Sequence, residues 1–411
     1  MYGLLGERLS HSFSPQIHGA LGDYDYRLFE VAPDNLEDFL KNGDFEGINV
    51  TIPYKKAVIP FLDGISREAE KIGSVNTVVR RENGLWGYNT DYFGFLYMLK
   101  KSKIDPKGKK TLVLGSGGAS LTVKAVLEDL NTAEIITVSR NGENNYSNIS
   151  KNYDADIIVN TTPLGMYPNP EGCAVDLTQF KALSGVLDIV YNPLRTTLIA
   201  TAEKLGIPTA SGLSMLIAQA VKANEIFFGR ELPEGICEQV EKSIKLKLEN
   251  ITLVGMAGCG KTTVGHCLAQ LMGKKIADTD EIVTELSGKT PAQLITEKGE
   301  REFRKIEAEA VKKAANSSGT VLATGGGAVT VPENYLPLHR SSIIVFINRS
   351  AEKLTDSNRP LSQQNGIKSL YESRLHLYRE FADIEIDGNG TVEQTAQIIL
   401  KELNKYENSC N

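Results

Sequence analysis

Short apolar runs alternate with amphipathic stretches along the whole chain. The segments between the runs carry apolar residues at the helical period, which predicts helices that bury one face. The runs themselves are rich in β-branched residues and end at glycine or polar residues, as strands do. They are YGLLG, EGINVTIP, TLVLG, EIITVS, DIIVNTT, GVLDIVY, ITLVG, TVLATGGG and SIIVFIN. Strands that alternate with helices in this way predict α/β domains with parallel sheets.

The pattern restarts at two places, which predicts three domains. Near residue 250 an amphipathic segment, EGICEQVEKSIKLKLEN, runs directly into the strand ITLVG without a Gly/Ser-rich or Pro-rich linker. Near residue 101 a strand, a turn and a helix begin at TLVLGSGGAS. We therefore expect an N-terminal α/β domain at 1–100, a dinucleotide-binding domain at 101–210, and a third domain at 248–411. Helices within 211–247 should pack back onto the first domain.

Composition and charge exclude several classes of protein. A chain of 411 residues exceeds one ordinary hydrophobic core, and its net charge of −6 argues against a nucleic-acid or anionic-membrane surface. The five cysteines lack CxxC spacing, so neither a disulfide framework nor a zinc site is indicated. No apolar run approaches the ~20 residues that span a bilayer. We expect a cytoplasmic protein that binds small molecules but neither nucleic acid nor membrane; a homo-oligomer is left open.

A glycine-rich loop, VGMAGCGKTT, lies between a predicted strand and a predicted helix. Gly255, Gly260, Lys261 and Thr262 match the G-x-x-x-x-G-K-[ST] pattern of a phosphate-binding loop, so we predict binding of ATP or GTP. Lys261 would reach the β and γ oxygens, and the hydroxyl of Thr262 would bind Mg²⁺. The predicted nucleotide contacts are Gly255, Gly258, Cys259, Gly260, Lys261, Thr262 and Thr263.

Two carboxylates follow the next predicted strand, and three arginines follow them. If Asp278 and Asp280 end that strand, residues i and i+2 point the same way, so one could bind Mg²⁺ and the other a substrate hydroxyl. The alternative for such a pair is the capped start of a helix. The guanidinium groups of Arg304, Arg359 and Arg374 match carboxylate and phosphate oxygens, which predicts an anionic substrate.

Taken in order, the motifs of residues 250–411 resemble shikimate kinase. They are GMAGCGKT, DTD, GExxFRxxE, a triple glycine, RPL and RxxxYRE. The resemblance implies a P-loop α/β domain with a parallel sheet that uses ATP and Mg²⁺ to phosphorylate the 3-hydroxyl of shikimate. The segment AEKLTDSNRPL departs from the family because it lacks the additional basic residue that many relatives carry there.

The same resemblance implies roles for single residues. Asp280 would hold and activate the substrate hydroxyl, while Asp278 would help order Mg²⁺ beside Thr262. Lys261 and Arg359, the latter on a closing lid, would complete the catalytic set. The implied substrate-binding residues of this domain are Arg304, Gly325, Gly326, Gly327 and Arg374.

A second glycine-rich turn, LGSGGAS, follows the strand TLVLG and opens a predicted helix. This context is typical of a Rossmann dinucleotide-binding domain, although Ser120 replaces the third glycine. The next strand ends at Arg140, where an NAD-binding protein often has an acid; arginine suits a 2′-phosphate, so NADP(H) is favoured over NAD. The predicted contacts in these turns are Gly115, Gly117, Gly118, Ala119, Ser139, Arg140 and Asn141.

Polar motifs in the first 247 residues resemble shikimate dehydrogenase. HSFSP, NVTIPYK, SVNT, GYNTD, NTTPLGM, DIVYNP and GLSMLIAQA stand in the order of that family. Arg8 and Gly19 depart from the family, where proline and asparagine are usual. The resemblance implies an N-terminal substrate domain and a Rossmann domain that together reduce 3-dehydroshikimate to shikimate with NADPH.

Residue roles follow from this second resemblance. Lys55 and Asp91 would form the polar pair at the reacting carbon, with Lys55 either donating a proton or giving electrostatic support. The implied substrate-binding residues are Ser12, Ser14, Thr51, Asn76, Tyr191 and Gln219, and Asp91 would also contact the ring. Met215 would flank the nicotinamide, and the remaining cofactor contacts would be Thr161, Thr162 and Gly212.

Both resemblances lead to one metabolite, so the leading hypothesis is a bifunctional enzyme that makes shikimate and then phosphorylates it. Two alternatives stay open. The first half could act on quinate with NAD, and the second half could be a nucleotide-sensing module that regulates the first.

Overall fold

The computed structural model describes residues 1–9, 12–354 and 366–409. The chain forms two compact units, Met1–Lys245 and Leu246–Asn411. Among the helices described, none combines the length and the apolar character that crossing a bilayer requires. The predicted α/β class is confirmed in both units, because each contains helices packed on sheets.

The first sheet of the first unit has six strands in the order β2-β1-β3-β5-β6-β4. The strands are β1 Tyr2–Gly6, β2 Tyr26–Glu30, β3 Gly47–Val50, β4 Gly64–Ile65, β5 Thr77–Arg81 and β6 Gly84–Tyr88. Its helices are α1 Ser14–Leu21, α2 Leu36–Asn42, α3 Tyr54–Ala57, α4 Arg67–Ile72 and α5 Asp91–Ser102. Leu5, Ile48 and Val78 are fully buried at its centre.

This sheet is mixed, so the expectation of parallel sheets is wrong for it. β5 runs antiparallel to both β3 and β6. The reason is local: only two residues separate Arg81 from Gly84, which pair across the turn, and such a short connection can only join antiparallel strands.

The second sheet of the first unit is parallel, in the order β11-β10-β9-β7-β8. Its strands are β7 Lys110–Leu114, β8 Glu134–Val138, β9 Ile157–Asn160, β10 Gly185–Asp188 and β11 Thr209–Ser211. The helices are α6 Gly118–Asp129, α7 Thr197–Lys204, α8 Gly212–Phe228 and α9 Ile236–Leu248. Because β8 and β9 lie on opposite sides of β7, the strand order reverses there, and ligands bind at such a point in open α/β sheets.

Helix α8 returns from the second sheet to the first. It packs against α1 and α5, and Phe227 near its end lies 5.1 Å from the Tyr2 ring, centroid to centroid. The approach of α8 to α5 is close, since a Cβ on Gly94 would lie 2.6 Å from the Met215 carbonyl oxygen. Helix α8 therefore extends from the end of β11 in the second sheet to the start of β1 in the first.

The second unit has one five-stranded parallel sheet in the order β13-β14-β12-β15-β16. Its strands are β12 Asn250–Val254, β13 Lys275–Asp278, β14 Thr320–Ala323, β15 Ser342–Asn348 and β16 Ile384–Asp387. Its helices are α10 Lys261–Met272, α11 Thr279–Ser287, α12 Pro291–Lys298, α13 Glu300–Ala315, α14 Tyr335–His339, α15 Ile367–Phe381 and α16 Val392–Ser409.

Short 3₁₀ turns occur in both units, at Pro33–Asn35, Ile59–Phe61, Ile149–Asn152, Leu177–Gln179, Ala328–Thr330, Pro332–Asn334 and Ala351–Lys353.

Candidate active sites

An ion pair lies at the carboxyl end of the first sheet. Lys55 is on the short helix α3 that follows β3, and Asp91 is the first residue of α5. The Lys55 Nζ donates to Asp91 Oδ2 at 2.6 Å, and both side chains are only partly exposed. The carboxylate therefore fixes an ammonium group at the rim of the sheet, where it can donate to a ligand.

Thr90 links the other predicted substrate residues to this pair. Its backbone N–H donates to Asn76 Oδ1 at 2.7 Å, and its hydroxyl donates to Gln219 Oε1 at 3.3 Å. Thr77, which is fully buried, lies 3.3 Å from Thr90, oxygen to oxygen. The network brings Asn76, Asp91 and Gln219 together, although α8 supplies Gln219 from far along the chain. Sequence reasoning missed the linking roles of Thr90 and Thr77.

Ser12 and Ser14 lie at the start of α1, and Tyr26 connects them to the sheet. The Ser14 backbone N–H donates to Ser12 Oγ at 3.2 Å, and the Tyr26 side chain hydrogen-bonds to Ser14. The Tyr26 hydroxyl also donates to Asn49 Oδ1 at 2.8 Å. Burial raises the pKa of Tyr26 well above its usual value, so the phenol stays protonated. No motif in the sequence pointed to Tyr26.

Two further predicted substrate residues lie near this segment. Tyr191 contacts Phe13 edge to face at 5.9 Å between ring centroids, next to Ser12 and Ser14. Thr51 follows β3, where its N–H donates to the Leu5 carbonyl at 2.9 Å. The predicted substrate residues of the first unit thus border one end of one sheet.

The second glycine-rich turn leaves room for a phosphate at the N-terminus of α6. A Cβ on Gly117 or Gly118 would meet no atom within 4 Å, so ligand atoms can approach the backbone there. Ser120, in place of the third glycine, donates from Oγ to the Gly117 carbonyl at 2.6 Å, and its side chain is buried. Ser120 therefore closes the turn by a hydrogen bond. Ala119 lies between Ser120 and the open backbone of Gly118.

The residues after β8 and β9, the two neighbours of β7, flank that turn. Ser139, Arg140 and Asn141 follow β8, and the Arg140 and Asn141 side chains are exposed. Thr161 follows β9 and donates from Oγ1 to the Leu114 carbonyl at 2.7 Å, while Thr162 donates to Asn160 Oδ1 at 2.7 Å.

A buried carboxylate holds the ends of β9 and β10 together. Asp188 accepts from Asn160 Nδ2 at 2.9 Å and from Thr196 Oγ1 at 2.6 Å. Burial raises the pKa of Asp188 to about 6, and these hydrogen bonds act in the opposite direction. Gly212 comes so close to the Ile189 carbonyl that no Cβ would fit there. Met215, one turn later, is mostly buried among residues of α5.

In the second unit, the loop between β12 and α10 is held by its own lysine. Lys261 is buried, and its Nζ donates to the carbonyl oxygens of Gly255 and Met256 at 2.9 Å each. Cys259 is buried under the loop, 3.9 Å from the same Nζ. The ammonium group and the first N–H groups of α10 make this loop a site for phosphate.

The two carboxylates after β13 are arranged differently from the prediction. The strand ends at Asp278, and Asp280 lies in the first turn of α11, so the two side chains do not share a strand face. The reason is that Asp278 caps α11 by accepting from the Asp280 N–H at 2.9 Å. Its other oxygen accepts from Thr262 Oγ1 at 2.7 Å. The capping alternative is therefore correct for the backbone, and Asp278 still lies beside Thr262.

Asp280 is surrounded by other charged groups. Loss of hydration, together with the negative charges of Asp278 and Glu307, raises the pKa of Asp280 to about 6, while Lys261 and Arg304 act in the opposite direction. One side of this carboxylate remains open to solvent. A carboxylate with a raised pKa beside an open space can accept a proton near neutral pH.

Arg304 connects the carboxylates to the triple-glycine turn. Its guanidinium donates to Glu307 Oε2 at 2.6 Å and to Glu300 Oε1 at 2.8 Å. Glu307 is fully buried, its Oε1 has no hydrogen-bond partner in the described part of the chain, and burial raises the pKa of its carboxyl group. Sequence reasoning assigned no role to Glu307, since a charged residue on an amphipathic helix usually faces water.

The triple-glycine turn after β14 lets α13 and the phosphate-binding loop approach it closely. A Cβ on Gly325 would meet Glu307, one on Gly326 would lie 2.6 Å from the Ala257 nitrogen, and one on Gly327 would meet Arg304. The Gly326 carbonyl accepts from Arg374 Nη1 at 3.4 Å and from the buried Tyr378 hydroxyl. Arg359 lies outside the described residues.

Comparisons with known proteins agree with both sets of motifs. A family model for the shikimate dehydrogenase substrate binding domain matches residues 4–78, and one for shikimate kinase matches residues 257–404. A shikimate dehydrogenase (NADP(+)) of Clostridium perfringens (strain SM101 / Type A) is 39% identical over 268 residues, covering 60% of this chain and 99% of the relative. This chain belongs to the shikimate dehydrogenase family, and its residues 257–404 match the shikimate kinase family model. It is a bifunctional shikimate-pathway enzyme, with a dehydrogenase unit followed by a kinase unit.

Solved structures resemble the dehydrogenase unit as well. One is a chorismate mutase/shikimate 5-dehydrogenase fusion protein from Clostridium acetobutylicum, with 37% identity and a TM-score of 0.57 over 59% of this chain and 96% of that chain. Another is a quinate dehydrogenase from Corynebacterium glutamicum in complex with NAD, with 29% identity and a TM-score of 0.54 over 59% of this chain and 97% of that chain. The two structures that resemble this unit are thus named for different acids, shikimate and quinate.

Proposed function

We propose that the dehydrogenase unit reduces 3-dehydroshikimate to shikimate with NADPH, and that the kinase unit transfers the γ-phosphate of ATP to the 3-hydroxyl of that shikimate. The observation that carries the proposal is that two unrelated sites, the Lys55–Asp91 pair and the Thr262–Asp278–Asp280 group, belong to families that share one metabolite. We further propose domain boundaries at 1–100, 101–210 and 248–411, with 211–247 returning to the first domain.

In the dehydrogenase unit, NADPH supplies the hydride, and the chain holds the reacting oxygen. Negative charge grows on the carbonyl oxygen as the carbon is reduced, and Lys55 Nζ, held at 2.6 Å by Asp91, stabilises that charge or protonates it. Ser12 and Ser14 would bind the substrate carboxylate. The ring oxygens would contact Thr51, Asn76, Tyr191 and Gln219.

The fit of NADP(H) rests on the open backbone at the start of α6. The N–H groups near Gly117 and Gly118 would hold the pyrophosphate, and Arg140 would bind the 2′-phosphate. Arg140 is exposed after β8 and has no ion-pair partner in the described residues, so its charge is available to a ligand. Met215 would border the nicotinamide.

In the kinase unit, Asp280 would accept the proton of the 3-hydroxyl as that oxygen attacks the γ-phosphorus. Arg304 and Arg374 would bind the substrate carboxylate beside the triple-glycine turn. Lys261 would release its two carbonyl oxygens and donate to the β and γ oxygens of ATP. These contacts position the two reactants and neutralise the charge that moves between them.

The residues also fit a magnesium ion. The Thr262 hydroxyl and the Asp278 carboxylate lie 2.7 Å apart, and hard oxygen donors of this kind suit Mg²⁺. Thr262 and Asp278 would hold the ion, which screens the phosphate charge when it is bound with ATP.

The proposal also includes location and partners. We propose that the chain works in the cytoplasm on small molecules, without nucleic acid or membrane, and a homo-oligomer stays open. The alternative of a quinate dehydrogenase that uses NAD is supported by the C. glutamicum relative and by Glu143, which follows Arg140 closely. A nucleotide-sensing role for the kinase unit is the other alternative.

One experiment tests the proposal as a whole. The full chain is given 3-dehydroshikimate, NADPH and MgATP, and shikimate 3-phosphate is measured, with each component omitted in turn. We expect the product only in the complete mixture. NADPH oxidation without ADP formation would reject the kinase assignment in favour of a nucleotide sensor. A higher rate with quinate and NAD than with shikimate and NADP would reject the assignment of the first unit to shikimate and NADP(H).

A further inference from the structure

Arg349 follows the last residue of β15 and lies beside the phosphate-binding loop. Its Nη1 is 3.6 Å from the position that a Cβ on Gly260 would take, at the point where the loop becomes α10. Neither the predicted motifs nor the roles above use this arginine. It is a cation at the rim of a site whose ligand carries several negative charges.

Within the described residues, the charge of Arg349 is not neutralised by any carboxylate. It forms no ion pair, and its Nε is buried without a hydrogen-bond partner. The two acidic residues of the adjacent strand β16 have other partners, because Glu385 accepts from Arg379 at 3.0 Å and Asp387 accepts from Asn389 Nδ2 at 2.7 Å. A partly buried guanidinium group without a partner is costly, so an anionic ligand at this place gains from it.

The strand order determines which part of a nucleotide passes Arg349. Strand β12 leads into the loop. On one side of β12 lies β14 and then β13, which carries Asp278. On the other side β15, which precedes Arg349, is the direct neighbour of β12. The γ-phosphate must face Asp280, on the β13 side. The α-phosphate and the nucleoside must therefore leave the loop toward β15 and β16.

The chain leaves space on that side. Asn348 and Ser350, the neighbours of Arg349, line a polar cleft together with Tyr371 and Asn389. Arg349 is not among the residues that line this cleft, and its guanidinium group lies next to Gly260 on the loop side. The cleft can take the nucleoside while Arg349 faces the phosphates.

We propose that Arg349 binds the α- and β-phosphates of the nucleotide at the β15 side of the loop. This inference rests on the proposed kinase function and adds a ground-state contact to it. A contact with the α- and β-phosphates is the same for ATP and for ADP, so it should strengthen the binding of both and leave the transfer step unchanged.

The test uses the full chain and three variants. Arg349→Met removes the charge of the side chain but keeps its length, and Arg349→Lys keeps the charge without the planar guanidinium group. Lys313→Met is the matched control, because Lys313 is an exposed cation on α13 that pairs with Glu285. MgADP affinity is measured by calorimetry, and the KM values for MgATP and shikimate are measured from kinase rates. Dehydrogenase activity of the same samples shows that the first unit is folded.

For Arg349→Met we expect the MgADP dissociation constant and the KM for MgATP to rise about 10- to 100-fold, as for loss of a charge-assisted hydrogen bond. The KM for shikimate and kcat should change less than about threefold, and Arg349→Lys should be intermediate. Lys313→Met should match the wild type.

Unchanged MgADP affinity in Arg349→Met, in a chain that still phosphorylates shikimate, would overturn the inference alone. If the wild type binds MgADP in an Arg349-dependent way but does not phosphorylate shikimate, the inference stands and the proposed kinase reaction is wrong. A wild type that binds no MgADP would overturn both. A fall in kcat without a change in nucleotide affinity would show that Arg349 acts on the transfer step, against the inference.

Discussion

The Asp278 carboxylate accepts two hydrogen bonds from different elements, one from the Thr262 hydroxyl at 2.7 Å and one from the Asp280 N–H at 2.9 Å. A single side chain thus fixes the loop threonine and the start of the helix that carries the proposed base. We expect Asp278→Asn to raise the Mg²⁺ concentration for half-maximal kinase rate at least about tenfold, because a charged oxygen ligand is lost. A Mg²⁺ titration of kinase activity measures this, and an unchanged midpoint would contradict the proposed metal role.

Two lysines should separate the two activities. Lys55→Ala should lower the rate of 3-dehydroshikimate reduction by roughly 10²- to 10⁴-fold and leave phosphorylation intact, because the developing negative charge loses its partner. Lys261→Ala should do the reverse, with a loss on the order of 10³-fold. Both rates are measured on each variant by NADPH absorbance and ADP release. If either variant lost both activities while still folded, the two-site proposal would need a coupled mechanism.

Kinase activity should depend on the ionisation of Asp280. Its pKa is raised to about 6, and only the carboxylate can accept the proton of the hydroxyl. As the pH falls through about 6, the ionised fraction falls, so kcat/KM for shikimate should decrease about tenfold per pH unit below that value. The measurement is a pH profile at saturating MgATP. A flat profile down to pH 5 would argue against Asp280 as the base.

Cofactor preference should depend on Arg140. Arg140→Ala should raise the KM for NADPH about 10- to 100-fold and leave the KM for NADH nearly unchanged, since only NADPH carries the 2′-phosphate. Steady-state rates with both cofactors decide this. Equal effects on NADPH and NADH would mean that Arg140 supports the turn rather than the phosphate.

Gly212 should not tolerate even a methyl group. A Cβ there would overlap the Ile189 carbonyl, a backbone atom that cannot move alone, so Gly212→Ala should destabilise the dehydrogenase unit by about 1–3 kcal/mol. Thermal inactivation of dehydrogenase activity should begin at a lower temperature, whereas kinase activity of the same chain should be lost at the wild-type temperature. Gly19→Ala is a useful comparison, because Gly19 has a helical backbone in α1 and no atom lies within 4 Å of a Cβ at that position.

The sequence predicted those parts of the molecule that depend on local patterns. Alternating strands and helices predicted the α/β class, and the two glycine-rich turns lie between a strand and a helix as expected. The sequence did not predict the antiparallel β5, because a turn of two residues is a weak signal beside the strong alternation around it.

Long-range contacts were harder to predict from the sequence. The place of Asp280 on a helix followed from a capping hydrogen bond that competes with strand continuation, and only the backbone settles that competition. Tyr26 donates to Asn49, and Glu307, besides its local ion pair with Arg304, lies beside Gly325. The neighbours of Tyr26 and Glu307 in sequence do not show these distant contacts. Arg349 was missed because no motif marks it and its place beside Gly260 depends on the pairing of β12 with β15.

The triple-glycine turn has a consequence for how this enzyme can change. Gly325 and Gly327 face Glu307 and Arg304 on α13, and Gly326 faces the Ala257 backbone of the phosphate-binding loop, so a side chain at any of the three disturbs a group of the proposed kinase site. In a library of all single substitutions selected for kinase activity, Gly326 should be the least tolerant of the three positions, because it faces backbone atoms rather than the movable end of a side chain. Variation in substrate choice would then have to arise from the surrounding side chains.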